Sequence, residues 1–214
     1  MNTLILATGN RGKVAELAEL LSGLQISVRP QSEFAVSDVA ETGLSFVENA
    51  LIKARHASQH CGLPALADDS GLVVDCLNGA PGLYSARYAG PDADDAANRH
   101  KLLDMLADVP TAARSARFVC VLALVRHPTD PLPLICQGEW QGQIALTERG
   151  QHGFGYDALF ELPERQCTAA ELAPSEKQQL SHRAQALRQL QRLLADQPHL
   201  FTPAASGANM PSSL

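Results

Sequence analysis

The segment Ala67–Gly71 places two carboxylates and a hydroxyl side by side at the end of an apolar run. Because side chains alternate across a strand, Asp68 and Asp69 face opposite ways, so that one can face a cleft while the other braces the backbone. Carboxylates at a strand end suit Mg²⁺, which takes few protein oxygens and shares the phosphates of a bound nucleotide. A solvated acidic turn would contain the same residues, and the segment alone leaves both interpretations open.

A glycine-containing segment near the N-terminus lies between a predicted strand and a predicted helix. Its residues are Thr8, Gly9, Asn10, Arg11, Gly12 and Lys13. Glycines let backbone N–H groups approach an anion closely, the helix start adds a partial positive charge, and Lys13 adds a full one. The segment therefore suits a triphosphate. It is not a Walker A loop, because its spacing is short and no Ser or Thr follows Lys13, and an ordinary strand-to-helix turn explains it equally well.

Two further charged residues lie between these segments in the chain. Glu41, in a polar loop, is a candidate second oxygen ligand for a metal ion. Lys53 lies one turn beyond Asn49 on a predicted helix. Exposure to solvent is the usual state of an isolated Glu or Lys, so each residue also has a purely structural interpretation.

The segment Gly153–Asp157 combines two glycines with two aromatic side chains just before a predicted strand. Its members are Gly153, Phe154, Gly155, Tyr156 and Asp157. Glycines allow close approach of the backbone, and aromatic rings can stack on a nucleotide base. The alternative is a simple β-turn that carries a core aromatic residue.

Three basic side chains lie near the start of the last predicted helix. Lys177 can meet a phosphate or a base carbonyl, His182 offers one donor and one acceptor, and Arg183 offers several donors in a planar fork. Helix caps and surface positions often carry the same residue types, so this cluster also has a structural alternative.

Two other groups of reactive side chains are interpreted as structural. His56 and His60 are four residues apart, but no acid or third ligand lies nearby, so we expect a solvated helix face rather than a zinc site. Cys76 and Cys120 lie in apolar runs and are predicted core residues. No cysteine has an evident positively charged neighbour that would make it a nucleophile.

Short apolar runs and helical periodicity define the elements that must position these residues. Strands are predicted at 3–7, 26–29, 65–69, 72–77, 117–126, 132–140 and 142–146, and helices at 14–21, 45–60, 94–106 and 181–195. The helix at 45–60 begins with the capping box Ser45–Glu48. Two long adjacent strands in the middle favour an α/β or α+β fold with a mixed sheet over a purely doubly wound one.

Length and composition restrict the class of protein. The 214 residues suit one large domain or two lobes around one sheet, and the net charge of -6 gives no basic excess for a nucleic-acid backbone. Five cysteines without a CxxC pair indicate free thiols in a reducing cytoplasm. No apolar run approaches membrane-spanning length, and the start of the chain lacks the basic region of a signal peptide. Residues 197–214, rich in Pro, Ala, Ser and Gly, are predicted to be a disordered tail.

Five segments, taken together and in order, resemble the inosine/xanthosine triphosphate pyrophosphatases, and most closely their bacterial dITP/XTP-specific members. They are ATGNRGKVAEL (7–17), FVENALIKARHA (46–57), ALADDSGLVVDCLNGAPGLYSARYAG (65–90), GFGYDALF (153–160) and SEKQQLSHRAQAL (175–187). They span nearly the whole chain except the tail, and the long central segment is highly specific.

The resemblance implies one two-lobed domain over residues 1–196. An elongated central mixed β-sheet, flanked by helices, would have a deep cleft between the lobes, and the protein would be a cytoplasmic homodimer. The implied reaction is Mg²⁺-dependent hydrolysis of dITP, ITP and XTP between the α and β phosphates. Neither a nucleic acid nor a membrane is an expected partner.

The resemblance also implies a role for each matching residue. Thr8 to Lys13 would hold the triphosphate, and Asp69 would be the general base and a metal ligand together with Glu41. Ser70, Lys53 and Lys177 would touch the substrate. The base would be enclosed by Phe154, Gly155, Tyr156, Asp157, His182 and Arg183.

Two departures from the family pattern and two rival functions remain at this point. Ala158 stands where the family usually has proline, and the chain beyond Asp196 is longer than usual. A Maf-like pyrophosphatase for other modified nucleotides would share the phosphate chemistry but not the base-pocket residues. A regulator that binds nucleotides without catalysis would not need the acidic strand end.

Overall fold

The computed structural model describes residues 2–8, 14, 17 and 26–196. Seven strands within this part of the chain form one sheet in the order β2-β1-β3-β4-β5-β6-β7. They are β1 (Asn2–Leu6), β2 (Ile26–Pro30), β3 (Ala65–Val74), β4 (Ser115–Val125), β5 (Leu134–Ile144), β6 (Phe160–Leu162) and β7 (Cys167–Thr168). β1 is parallel to β2 and β3, and every later pair is antiparallel, which confirms the predicted mixed sheet.

Four helices that lie wholly within the described part of the chain flank the sheet. They are α1 (Phe46–Cys61), α2 (Asp95–Met105), α3 (Pro174–Leu180) and α4 (His182–Asp196). Short 3-10 helices occur at Gln31–Phe34, Asp75–Leu77, Gly82–Arg87, Thr111–Ala113 and Pro163–Arg165. The mixed α/β class with a central sheet between helices is therefore confirmed.

The strand predictions need two corrections. The predicted strands 65–69 and 72–77 are one continuous strand, because Ser70 and Gly71 pair with Cys120 and Val119 of β4 without a break. The predicted strands 132–140 and 142–146 are likewise the single strand β5. Glycines inside a ladder do not end it when both neighbouring strands keep their register.

The predicted capping box begins α1. Ser45 accepts a hydrogen bond from the Glu48 backbone N–H, while the Glu48 carboxylate accepts from the backbone N–H of Leu44 at 2.8 Å. Gly62 ends the helix in the left-handed region, at φ 65°. Small buried residues form the face that packs on the sheet, namely Ala50, Ala54 and Ala57, so the helix lies close to β3 and β4.

The other face of the sheet is covered by α4. Its buried residues recur at helical spacing, at Ala186, Leu187, Leu190 and Leu194. They pack on Leu66 of β3 and on Cys120, Leu122 and Leu124 of β4. The two helices thus bury opposite faces of the same strands. Alternation along β3 therefore decides whether a side chain faces α1 or α4.

Some predicted segments fall outside the described residues. Val14 and Leu17 are helical, as expected for the helix at 14–21, while the remaining residues of that prediction and the predicted tail at 197–214 lie outside the described part. The strands β6 and β7 and the helix α3 were not predicted. In the ranges that the structure covers, no helix is both long and apolar enough to cross a membrane.

Candidate active site

A polar cavity of about 480 Å³ opens where β1 ends. Thr8 lies directly after β1 and shares the lining with Glu41, with Lys53 of α1 and with Asp68 of β3. β1 pairs with only the first two residues of β3, so β3 runs on past the end of β1. The acidic residues of β3 therefore border the space that β1 leaves open.

Lys53 joins two carboxylates beside this cavity. Its Nζ donates to Glu41 Oε1 at 2.8 Å and to Asp69 Oδ1 at 2.9 Å. The three side chains are 18%, 26% and 11% exposed, so these ion pairs are sheltered from water and stronger than surface pairs. The interpretation of Lys53 as a solvated surface lysine is therefore wrong.

The charge state of Lys53 follows from its surroundings. Burial alone lowers the pKa of its ammonium, but the charge of Asp69 and the hydrogen bonds to Glu41 and Asp69 outweigh burial and raise the pKa above its ordinary value. Lys53 is therefore positively charged at neutral pH. It can meet an anionic phosphate oxygen at the cavity wall.

Asp69 has an elevated proton affinity. Burial is the largest cause and raises the pKa of its carboxyl, and the negative charge of Glu41 raises it further, while the charge of Lys53 and hydrogen bonds to Lys53 and Asn49 oppose the shift. The net pKa is above the ordinary value of an aspartate. A buried carboxylate with raised proton affinity is better matched to accepting a proton from water than an exposed one.

Asp68 and Asp69 face opposite sides of the sheet, as the alternation predicts. Asp69 reaches the α1 side, where it contacts Lys53, and Asp68 reaches the α4 side. There its Oδ2 accepts from Ser70 Oγ at 3.2 Å and lies 3.8 Å from Arg183 Nη2. Both of these contacts of Asp68 are with side chains.

Three carboxylates of the first cavity and its wall could take part in binding a divalent cation. Glu41 and Asp69 already converge on one cation, the Lys53 ammonium, and Asp68 lines the same cavity. Among the residues that the structure describes, no group of three His, Cys, Asp or Glu side chains is arranged as a complete metal cage. A pair of carboxylates open to water and substrate phosphates is the arrangement that suits Mg²⁺ rather than a metal that needs a full protein shell.

A second cavity of about 400 Å³ lies beside the first along β3. Ser70 lines the second cavity, and its hydroxyl donates a hydrogen bond to Asp68, which lines the first cavity. The rest of the lining combines apolar and basic side chains, including Phe118, Phe154, Tyr156, Leu172, Lys177, His182 and Arg183. An aromatic pocket next to an acidic, lysine-bearing cavity can hold the two halves of a nucleotide, base and phosphates.

The glycine-rich loop of the second cavity has the close backbone approach that its sequence predicts. Gly153 has φ 82°, and a Cβ there would lie 2.1 Å from Asp157 Oδ2. Asp157 Oδ2 also accepts from the Phe154 backbone N–H at 2.8 Å and contacts Lys177 Nζ. Only glycine fits this position, and the loop therefore wraps tightly around the Asp157 carboxylate.

The two aromatic residues of this loop differ in environment. Phe154 is 62% exposed at the cavity mouth, and Lys177 Nζ lies over one face of its ring, 4.9 Å from the centroid. Tyr156 is buried, and its hydroxyl donates to the Ser85 carbonyl at 2.8 Å. Its pKa is raised, chiefly by burial. Tyr156 thus builds the floor of the pocket, whereas Phe154 is the ring free to stack.

The start of α4 is pressed against the sheet. A Cβ at Gly138 of β5 would lie 2.0 Å from the His182 carbonyl oxygen, so only glycine allows this approach. His182 is buried and stacks on Phe118, with ring centroids 4.9 Å apart and an angle of 16°. Arg183 is also buried, at 9% exposure, and points along the same wall. The surface interpretation of these two residues is wrong.

The structure brings most of the predicted site residues into these two adjoining cavities. Thr8, Glu41 and Lys53 line the first cavity, and Asp69 contacts this lining through its hydrogen bond from Lys53. The second is lined by Ser70, Phe154, Gly155, Tyr156, Asp157, Lys177, His182 and Arg183. Gly9, Asn10, Arg11, Gly12 and Lys13 lie outside the described residues.

Several residues near the site were not predicted from the sequence. Asp68, Gln31, Asp38 and Arg87 also line the first cavity. The alternation of side chains along β3 was the available signal for Asp68, since it assigns the carboxylates of Asp68 and Asp69 to different faces of the sheet. Loop residues such as Asp38 carry no comparable signal, because a polar loop offers no periodicity.

The two predicted structural groups have different outcomes. His56 and His60 hydrogen-bond through Nε2 to the carbonyls of Ser37 and Phe34 at 2.9 and 3.1 Å, which ties α1 to the preceding segment. Cys120 is buried as predicted. Cys76 is exposed, so its assignment to the core is wrong, because β3 ends at Val74 and the chain turns away from the sheet.

The match to a family model decides the relationship. A model described as the Ham1 family covers residues 4–193. The chain belongs to the Ham1 family. The dITP/XTP pyrophosphatase of Vibrio parahaemolyticus is 58% identical over 190 residues, which are 89% of this chain and 95% of that protein. The dITP/XTP pyrophosphatase of Pseudomonas aeruginosa is 58% identical over 194 residues, 91% of this chain and 98% of its own length.

Solved structures of Ham1 proteins share the fold. A HAM1 protein from Coxiella burnetii superposes with a TM-score of 0.89 at 54% identity, covering 92% of this chain and all of that one. A nucleoside-triphosphatase / dITP/XTP pyrophosphatase from Mycobacterium abscessus superposes with a TM-score of 0.76 at 44% identity, covering 90% and 98% of the two chains. The predicted membership in the family of dITP/XTP pyrophosphatases is thereby confirmed.

Proposed function

We propose that this chain is a nucleoside triphosphate pyrophosphatase that hydrolyses the deaminated purine nucleotides dITP, ITP and XTP. The products are the nucleoside monophosphate and pyrophosphate, so the reaction removes these nucleotides before they enter DNA or RNA. Relatives 55–58% identical over most of the chain carry the name dITP/XTP pyrophosphatase. The observation that carries the proposal is the pair of adjoining cavities, one acidic with a half-buried lysine and one aromatic with a buried arginine.

The phosphate chemistry belongs to the first cavity. Lys53 offsets the charge of the triphosphate, and Thr8 and the segment up to Lys13 hold its oxygens. Asp69 accepts a proton from the attacking water, since it is buried, has a raised pKa and contacts Lys53. A missing general base typically lowers the rate by about 10²–10⁴-fold.

A divalent cation completes this site in the proposal. Glu41 and Asp69 would hold it, and Mg²⁺ is the ion favoured by a small set of carboxylates that leaves room for phosphates. Bound there, Mg²⁺ would polarise the phosphoryl oxygens and help neutralise the developing charge. Lys53, which lies between the same carboxylates, supplies the fixed positive charge that remains whether or not the ion is bound.

Base selection belongs to the second cavity. Hypoxanthine and xanthine carry a 6-oxo group where adenine has an amino group, and Arg183 is a buried donor in the pocket wall. Adenine would leave such a donor unsatisfied, which costs about 1–3 kcal/mol, or roughly tenfold in selectivity. Phe154 would stack on the base, and Lys177 and Asp157 would fix the loop that carries it.

Release of monophosphate and pyrophosphate from dITP, ITP and XTP, with and without Mg²⁺, tests the proposal. We expect equimolar products with Mg²⁺ and almost none when the divalent ion is chelated. Release of inorganic phosphate instead would place cleavage at the γ phosphate and contradict the proposed reaction. Tight nucleotide binding without turnover would favour the non-catalytic regulator.

Two further parts of the proposal concern assembly and location. We expect a homodimer in the cytoplasm, and the five cysteines are all free thiols, as a reducing compartment requires. Sedimentation velocity over a range of protein concentrations measures the first part. A mass that stays that of one chain at all concentrations would contradict it.

A further inference from the structure

Both backbone polar groups of Gly155, which belong to the peptide groups on its two sides, are held by one helix. Its N–H donates to Asp95 Oδ2 at 2.6 Å, and its carbonyl accepts from Arg99 Nη1 at 2.9 Å. Asp95 and Arg99 are four residues apart on α2, so their side chains lie on the same face of the helix. A helix far from the loop in sequence thus fixes both polar atoms of a single residue.

Glu148 in turn restrains Arg99. Arg99 Nε lies 2.9 Å from Glu148 Oε1, an ion pair without the alignment of a hydrogen bond. The Arg99 side chain is 18% exposed and that of Glu148 is 43% exposed. The guanidinium therefore connects α2, the segment after β5 and the loop, and most of it is removed from solvent.

Gly155 is the part of the loop that most needs such restraint. Its φ is 60°, and no atom lies within 4 Å of the place where a Cβ would be, so packing alone does not fix it. Phe154, the preceding residue, is held on the cavity side by Asp157 and Lys177. The contacts of Asp95 and Arg99 fix the two peptide groups on either side of Gly155, directly after Phe154.

We propose that Arg99, assisted by Asp95 and Glu148, is a positioning residue that holds Phe154 ready to stack on the substrate base. This inference rests on the proposed function, because it assigns the loop to base binding. Arg99 touches neither the phosphates nor the base, and its removal leaves the Lys53 and Asp69 contacts intact. Its loss therefore weakens substrate binding far more than it slows the chemical step.

The main test compares Arg99→Ala with the wild-type enzyme. We expect the KM for ITP to rise roughly tenfold, the scale of one lost charged hydrogen bond, while kcat stays within about twofold. Arg99→Lys keeps one donor for the Gly155 carbonyl and should recover part of the affinity. His100→Ala, an exposed position on the same helix, is the matched control and should behave like the wild type.

A second measurement does not depend on substrate. Amide hydrogen exchange of the peptide that contains residues 153–157 should speed up in Arg99→Ala and stay unchanged in His100→Ala, with the rest of the sheet equally protected in both. Unchanged exchange in this peptide, or an equal loss of kcat for every substrate, would overturn the inference. A wild-type protein inactive on ITP would refute the proposed function, while the exchange result would still decide whether Arg99 holds the loop.

Discussion

Asp68 and Asp69 are consecutive on β3 but serve opposite faces of the sheet. Asp69 Oδ1 lies 2.9 Å from Lys53 Nζ on the side of α1, and Asp68 Oδ2 lies 3.8 Å from Arg183 Nη2 on the side of α4. One strand thus connects the carboxylate proposed for chemistry with the arginine proposed for base selection.

Asp69→Asn should fold normally and lose nearly all activity. Asparagine keeps the shape but cannot accept the proton of water, so kcat should fall by about 10²–10⁴-fold. Pyrophosphate release measures the rate, and the thermal melting temperature checks the fold. Asp75→Asn, which alters an exposed carboxylate paired with Arg117 directly after β3, is the control and should stay close to wild type. Activity of Asp69→Asn within a few-fold of wild type would mean that another group is the base.

Arg183→Ala should reduce discrimination as well as rate. If Arg183 donates to the 6-oxo group, its loss removes a hydrogen bond that ITP makes and ATP cannot, so the ratio of their kcat/KM values should shrink by about ten- to a hundredfold. Arg188→Ala, an exposed arginine on the same helix, provides the comparison. Equal losses for ITP and ATP would instead assign Arg183 to the phosphates, which both substrates share.

Acid stability should depend on Asp130, which lies outside the site. Its side chain is 1% exposed and accepts from the Arg126 guanidinium and from the backbone N–H groups of Arg126 and Leu132 in the β4–β5 connection. The Arg126 hydrogen bonds are the largest cause that holds the Asp130 pKa far below its ordinary value. A carboxyl with a lowered folded-state pKa stabilises the protein above the unfolded pKa of about 4, and this stability is lost as the pH falls below it.

Asp130→Asn should therefore lower the free energy of unfolding at pH 7 by about 1–3 kcal/mol. The difference from wild type should narrow as the pH falls from about 5 towards 2, because acid protonates Asp130 in the unfolded chain while the folded carboxylate stays charged, which favours the unfolded state of the wild type. Urea denaturation at several pH values measures it, with the exposed Asp108→Asn as control. A difference that does not change with pH would show that the Asp130 charge adds nothing to stability.

Local signals in the sequence were enough for the long helices, for the approximate positions of β1 to β5 and for the faces of β3. Ser45 and Glu48 predict the start of α1, and the period of two along β3 predicts that Asp68 and Asp69 diverge. Each depends only on neighbouring residues, so no tertiary information is needed. The same locality explains the error at Cys76, since an apolar run does not reveal that the strand ends at Val74.

The contacts that define the site could not be predicted from local sequence signals. Lys53 meets Glu41 and Asp69 across 12 and 16 residues, and Arg99 meets Gly155 across 56. Residues so far apart in the sequence come into contact only when α1 and α2 pack on the sheet. The periodicity of apolar residues does not predict where a long polar side chain then points. The family resemblance supplied the roles of Lys53 and Arg183, for which residue type alone favoured a solvent-exposed surface.

The most direct test of the account is the kcat/KM of the wild-type enzyme, measured as pyrophosphate release with Mg²⁺, for ITP and XTP against ATP and GTP. A base pocket with a buried donor predicts that ITP and XTP exceed ATP by at least roughly tenfold, the factor that one unsatisfied donor supplies. We expect GTP to be a poor substrate as well. Values of kcat/KM for ATP or GTP equal to those for ITP and XTP would contradict the account, because the second cavity would then not select deaminated bases.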